Sequence, residues 1–271
     1  MAKFTGNIRK MVSHPNDPVD YELPLYDNLN PNHLVPLNQL LGKPISITFE
    51  NSINCVVTGK KIKKAYGEGM SYDAFISSPL AVESIVRPEL SRIHEGIALR
   101  DLEWETRNHL QPHYTYLSNT SGLKVGVTRT SQVPTRWIDQ GATQAIILAE
   151  TPYRQAAGLI EVALKSHLAD KTNWQAMLKS TPAKMDLNEA REVYSKFVPD
   201  ELKQFVQLTS SETVINYPIL SYPEKIKSLK LDTNPVIEGV LTGIKGQYLM
   251  LSDQFVINIR SHTGYLISFE Y

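Results

Sequence analysis

The part of this chain that most restricts its fold is the stretch 112–170, where the apolar pattern switches between strand and helix periods several times in quick order. Residues 114–117 form an alternating aromatic and β-branched run, Ser118, Asn119, Thr120, Ser121 and Gly122 supply a turn, and 123–128 form a second run. Together these predict a β-hairpin. Pro134 then opens a short helix carrying Arg136 and Trp137, with Gly141 at its C-cap position. After a third apolar run at 145–149, Thr151 and Pro152 provide an N-cap and first-turn pair for a longer helix that ends near Asp170. The predicted order is ββαβα.

With one arginine on the first helix and one glutamate inside the second, this order resembles the GIY-YIG nuclease superfamily, most closely its branch with a KIG variant of the second motif. The resemblance places Tyr114-Thr115-Tyr116 at the first motif, Lys124-Val125-Gly126 at the second, Arg136 at the helical arginine and Glu161 at the metal-binding glutamate. Tyr114 and Tyr116 share one strand face, so either can stand at the tyrosine position. The resemblance implies that the tyrosine positions or activates water, that Arg136 stabilises a phosphate and that Glu161 holds Mg or Mn. Charge stabilisation of this kind is what phosphodiester cleavage requires. Lys124 stands where the namesake motif has tyrosine, and Asn173 is a loose match for the family's asparagine. Each residue also has a plainer structural role to hand. Glu161 and Lys165 can form a helix-surface pair, Arg136 can lie along Trp137 or pair with Asp139, and the tyrosines can be sheet-face residues.

The whole chain resembles a bacterial family termed domain of unknown function 2797, through LGKPISITF, PHYTYLSNTSGLKVGVTR, PTRWIDQGATQA, LIEVALKSHLADKTNWQAMLK and GVLTGIKGQYLML. That resemblance implies paired cysteines after the first strand, in the manner of a zinc ribbon. Here Cys55 keeps one place, while Thr58, Ser71 and Ala74 occupy the others. Hydroxyl and methyl side chains do not serve structural zinc sites. No zinc is therefore expected, and His94 and His109 are read as surface histidines rather than substitute ligands.

Composition bounds the function. The 28 basic residues balance 28 acidic ones, so no global field draws the protein to nucleic acid or membrane, and any such binding must be local. Between 112 and 180 there are seven Lys or Arg against four Asp or Glu, a local excess of the sign a phosphate-binding face needs. A single cysteine excludes an internal disulfide and fits a reducing compartment. No apolar run approaches the roughly 20 residues of a membrane span, and the amino-terminal segment does not read as a signal peptide. The expected location is the cytoplasm.

Elsewhere the pattern is simpler. Residues 13–36, rich in Pro and Asn, are expected to follow an irregular surface path. Ile45, Ile47 and Phe49 alternate with polar residues as a strand. Lys60, Lys61, Lys63 and Lys64 read either as a solvated face or as a phosphate-contacting patch. Asp186 and Glu189 have capping-box spacing. Four short strands after Val236 predict an antiparallel β meander or small barrel, whose Lys245, Tyr248, Arg260, His262 and Tyr265 are nucleic-acid contacts or ordinary strand residues.

The expected class is α+β, with a GIY-YIG-like ββαβα module and helical extension at 112–210. A degenerate zinc-ribbon-like region at 1–111 and a β meander at 211–271 flank it. The expected function is DNA or RNA binding through Lys124, Arg129, Arg136 and the lysine run, with weak or no catalysis. A metal-dependent endonuclease or phosphodiesterase using Tyr114 or Tyr116, Arg136 and Glu161 is the alternative, and a protein-interaction scaffold the second alternative.

Overall fold

A strand whose apolar residues recur at every second position needs neighbours on both edges to satisfy its amides, and here β5 (Pro44–Asn54) finds them far away in sequence. The computed structural model describes residues 2–168 and 171–271. It is mixed α+β, with one large and one smaller sheet, and the chain divides into two compact units. One comprises 1–76, 178–180 and 216–271, the other 77–177 and 181–215.

The first unit holds the large sheet. Its amino-terminal strands are β1 (Lys3–Ile8), β2 (Val12–His14), β3 (Asp20–Asp27), β4 (Asn30–Pro36), β5 and β6 (Lys61–Ile62), followed by helix α1 (Tyr72–Ser77), which ends at the boundary between the units. Its carboxy-terminal strands, numbered in chain order, are β11 (Lys227–Leu229), β12 (Val236–Lys245), β13 (Tyr248–Leu251), β14 (Phe255–Asn258) and β15 (Tyr265–Glu270). The order is β11-β14-β13-β12-β5-β15-β1-β3-β2, with β4 on β3 and β6 on β5. Thus β5 lies between β12, which sets Ile237 beside Ile47, and β15, which sets Phe269 beside the same residue. Ile47, Ile267 and Phe269 are fully buried, as the alternation of β5 requires.

Two expectations are corrected here. Residues 13–36 are not irregular but form most of β2, β3 and β4. Their turn formers punctuate a hairpin, and Pro31 and Pro36 lie on β4, an edge strand, where a missing amide breaks no outer ladder. The carboxy-terminal meander is not a domain apart, because β12 and β15 flank β5 in a shared sheet.

The second unit holds the smaller sheet, ordered β10-β9-β7-β8. Its strands are β7 (His113–Asn119), β8 (Leu123–Arg129), β9 (Gln144–Thr151) and β10 (Thr213–Val214). Helices α2 (Leu102–His109), α3 (Thr135–Asp139), α4 (Arg154–Lys165), α5 (Trp174–Lys179) and α6 (Leu187–Ser195) accompany them, with part of α5 counted in the first unit. The hairpin, short helix, third strand and longer helix follow in the expected order. Antiparallel pairing sets β7 between β8 and β9. Leu117, Ile146 and Leu148 of the sheet pack against Ala156, Ile160 and Leu164 of α4 and Leu187 of α6.

The start and end of α4 differ from expectation. Tyr153 is its N-cap, with no side-chain cap, because the Thr151 hydroxyl donates to the carbonyls of His113 and Tyr153. Its last residue is Lys165, and Asp170 lies outside the described residues. At α6 the Asp186 carboxylate accepts the amides of Asn188 and Glu189, fulfilling the capping part of the expected pattern. Among the described residues no helix is long and apolar enough to cross a membrane.

Candidate functional site

Strand alternation decides which residues of β7 reach the helices. Thr115 and Leu117 face α4, the Thr115 hydroxyl donating to the Ala157 carbonyl at 3.0 Å. Tyr116, between them, turns to the opposite face and is fully buried. Its ring meets Trp137 edge-on, with centroids 5.9 Å apart, and its hydroxyl donates to Oε1 of Gln140 at 2.9 Å. Gly126 is its cross-strand partner. A Cβ at Gly126 would stand 2.6 Å from the tyrosine oxygen, so the glycine makes room for this phenol.

Arg136, half-buried on α3, acts on the same hydroxyl. Burial raises the pKa of the Tyr116 phenol, Arg136 and Gln140 oppose that shift, and Glu161 adds to it. The structure therefore brings Arg136 and Glu161 each within electrostatic range of Tyr116. Tyr114 is placed differently. It pairs with Glu150 and Thr128, and its phenol is raised by burial and by Glu150.

Glu161 is only 8% exposed. Its Oε2 lies 3.5 Å from Nζ of Lys165, so the plainer reading of a helix pair is realised. Burial nevertheless raises its carboxyl pKa, with Glu89 adding to the shift and Lys165 and Arg154 countering it.

Arg154 is the residue that sequence reasoning missed. It precedes Glu161 by two helical turns on one face of α4, a spacing that could have flagged it. Its Nε donates to the Ser84 carbonyl at 2.7 Å and its Nη2 to the Ile85 carbonyl at 2.8 Å. Burial and the neighbouring Arg136 and Arg129 push its pKa down to about 10, against the pull of Glu161 and Glu89. Between Arg154 and Glu161 stands Gly158, where a Cβ would lie 2.3 Å from the Glu89 amide nitrogen. Two 3₁₀ turns therefore lie on this face of α4, Glu83–Ile85 against Arg154 and Pro88–Leu90 against Gly158.

The remaining candidates scatter. Lys124 is 5% exposed, which leaves little of it to meet a polyanion in solution. Arg129 is half-buried and donates to Oδ1 of Asn108 at 2.5 Å. Lys60, Lys61, Lys63 and Lys64 are exposed and belong to the large-sheet unit, where Nζ of Lys64 stands 5.2 Å over the Tyr66 ring. Of the carboxy-terminal candidates, Lys245 is fully buried with its Nζ 5.5 Å from the Tyr217 ring. The Tyr265 hydroxyl is bound to Asp232 at 3.0 Å, and His262 accepts the Leu231 amide.

Cys55 lies buried in the turn after β5. Its Sγ accepts the Ser71 amide at 3.2 Å, and the Ala74 amide donates to Oγ of Ser71. Burial opposes ionisation of the thiol, but bonds from Thr58, Ser71 and Val57 outweigh it and bring the pKa down to about 7. His94 and His109 lie in the other unit, where His94 stacks on Tyr153, and His109, expected at the surface, is instead buried. Among the described residues no three His, Cys, Asp or Glu side chains gather to hold a metal ion.

A family model described as "Protein of unknown function (DUF2797)" matches residues 42–267, well over half of the chain. No curated protein and no solved structure matches it.

Proposed function

We propose that this chain, which belongs to the DUF2797 family, is a nucleic-acid-binding protein in which the smaller-sheet unit is a GIY-YIG-like module that holds phosphates with weak or no catalysis. The observation that carries this reading is the pair of half-buried guanidinium groups of Arg129 and Arg136, both near enough to Arg154 to lower its pKa, in a stretch with seven basic residues against four acidic ones. Such an excess favours a polyanion. Its weak catalysis follows from the tyrosine. Tyr116 is sealed by Trp137, Gln140 and Gly126, so its hydroxyl is not presented to a water or a phosphate. The turn around Cys55 fits a degenerate ribbon, with hydroxyl and amide donors serving the thiol where metal ligands are missing.

A metal-dependent endonuclease or phosphodiesterase is the second reading, and the coupling of Tyr116 to both Arg136 and Glu161 favours it. Glu161 would be the residue to hold Mg or Mn, a hard cation suited to a carboxylate.

Fluorescence anisotropy and gel assays with labelled single- and double-stranded DNA and RNA, with and without Mg²⁺ or Mn²⁺, separate the readings. The proposal expects salt-sensitive retention that weakens in Arg136→Gln, with no cleavage. Cleavage that disappears in Glu161→Ala establishes the enzyme instead. Absence of both retention and cleavage at low salt leaves a protein-interaction scaffold.

A further inference from the structure

Away from the smaller sheet, the large-sheet unit has a cleft of about 620 Å³ between the β1–β2 connection and the β3–β4 hairpin. Its walls include Pro24, Tyr26, Pro31 and Leu34, and its two cations are Arg9 and Lys10. The size lies within the range of about 300–1,000 Å³ typical of small-ligand sites.

The wall chemistry is specific. The Arg9 guanidinium lies over the Tyr26 ring at 4.5 Å. Its Nη2 donates to the Asn28 carbonyl at 2.6 Å and its Nη1 to the Ile8 carbonyl at 3.1 Å, which holds the planar group in place. A fixed guanidinium plane on an aromatic ring is a stacking platform. Leu34, 58% exposed at the rim, leaves apolar surface open to water.

The charge is equally one-sided. Glu68 is the carboxylate on the lining, and it is already taken by Arg260. Burial lowers the pKa of Arg9, and the groups that favour its charge are the Tyr26 phenol and the Cys55 thiol, both weaker partners than a carboxylate. An anion in the cleft would relieve that desolvation.

We infer that this cleft binds a planar aromatic group carrying a phosphate, either as a free nucleotide or as one nucleotide of a single strand. The ring lies against the Pro31 and Leu34 wall beside the Arg9–Tyr26 stack, and the phosphate faces the guanidinium donors of Arg9 that the Ile8 and Asn28 carbonyls do not use. The inference does not depend on the reading of the smaller sheet, because every residue it uses belongs to the other unit.

Calorimetric titration of the full chain with adenosine 5′-monophosphate, adenosine, inorganic phosphate and a single-stranded hexanucleotide tests it. Expected is binding of the monophosphate that is tighter than that of adenosine or phosphate alone, and about ten-fold weaker in Arg9→Met and in Leu34→Asp. Leu34→Asp lies on the exposed rim, so it remains informative if Arg9→Met loses its fold by far-UV circular dichroism. Binding of the hexanucleotide alone, lost in the same two variants, identifies a strand as the source. Unaltered affinity in Leu34→Asp and folded Arg9→Met, equal affinity for adenosine, or no heat with any nucleotide overturns the inference. Duplex retention is scored beside the titration: monophosphate heat without duplex retention, or duplex retention without monophosphate heat, tells failure of the phosphate-binding module from failure here.

Discussion

The hydroxyl of Tyr116 donates to Oε1 of Gln140 at 2.9 Å, and that bond ties the middle strand of the smaller sheet to the end of α3, the helix that carries Arg136. In a buried site the cost of removing one partner is the unmet need of the other. Tyr116→Phe is expected to destabilise the fold by about 1–3 kcal/mol in urea denaturation. Retention of nucleic acid should survive at temperatures where the variant is folded, since a sealed phenol has no phosphate to contact. A retention loss as large as that of Arg136→Gln would contradict this.

Gly158 admits no side chain, because its missing Cβ would fall 2.3 Å from backbone nitrogen of Glu89. Backbone cannot swing aside as a long side chain can. Gly158→Ala is expected to cost about 1–3 kcal/mol or to separate the 79–95 segment from α4, despite alanine's better helix propensity. A denaturation midpoint equal to or above that of the parent would show that the segment does not pack so closely.

His113 and His109 give the fold an acid limit. Burial, then the nearby Arg154 and Arg129, bring His113 down to about 4. Burial, Arg154, His113 and Arg129 bring His109 down to about 3. Both rings are neutral in the fold, while the unfolded chain takes up protons near 6.5, so protonation favours unfolding. Stability should be complete above pH 6.5 and decline as the pH falls toward 4, His113 contributing up to about 3 kcal/mol of that loss. Denaturation midpoints measured from pH 7.5 to 4.5 check this, and the slope should flatten in His113→Phe.

Glu105, fully buried, accepts the backbone amides of Leu99, Arg100 and Asp101 at 3.0, 2.7 and 3.1 Å through one carboxylate oxygen. It thereby fixes the loop that enters α2. Charge-assisted bonds of this kind are worth about 1.5–3 kcal/mol each, so Glu105→Ala should rank among the most destabilising single substitutions in this unit. Hydrogen exchange should rise first at Leu99, Arg100 and Asp101. Protection of those amides unchanged in the variant would refute the role.

Much of this arrangement was legible from local pattern. The alternation of Ile45, Ile47 and Phe49 announced β5, the polar run from Ser118 to Gly122 announced the β7–β8 turn, and Asp186 announced the start of α6. Each of these depends on residues a few positions apart, where chain geometry leaves few options. Arg136 and Glu161 could be singled out by residue type and order, and the structure sets them in range of one buried phenol. The sequence could not choose between Tyr114 and Tyr116, because a shared strand face leaves their depth undecided.

What the amino-acid order determined by itself was therefore the order of elements within 112–165, β5, the start of α6, the carboxy-terminal strands and the DUF2797 resemblance, all of which rest on short-range periodicity and motif spacing. Tertiary structure alone decided that two carboxy-terminal strands flank β5, that the Pro88–Leu90 turn roofs Gly158, and that Arg154 joins the charged cluster. These depend on contacts between residues remote in sequence, where many pairings satisfy the same local pattern and only the burial of a common core selects among them.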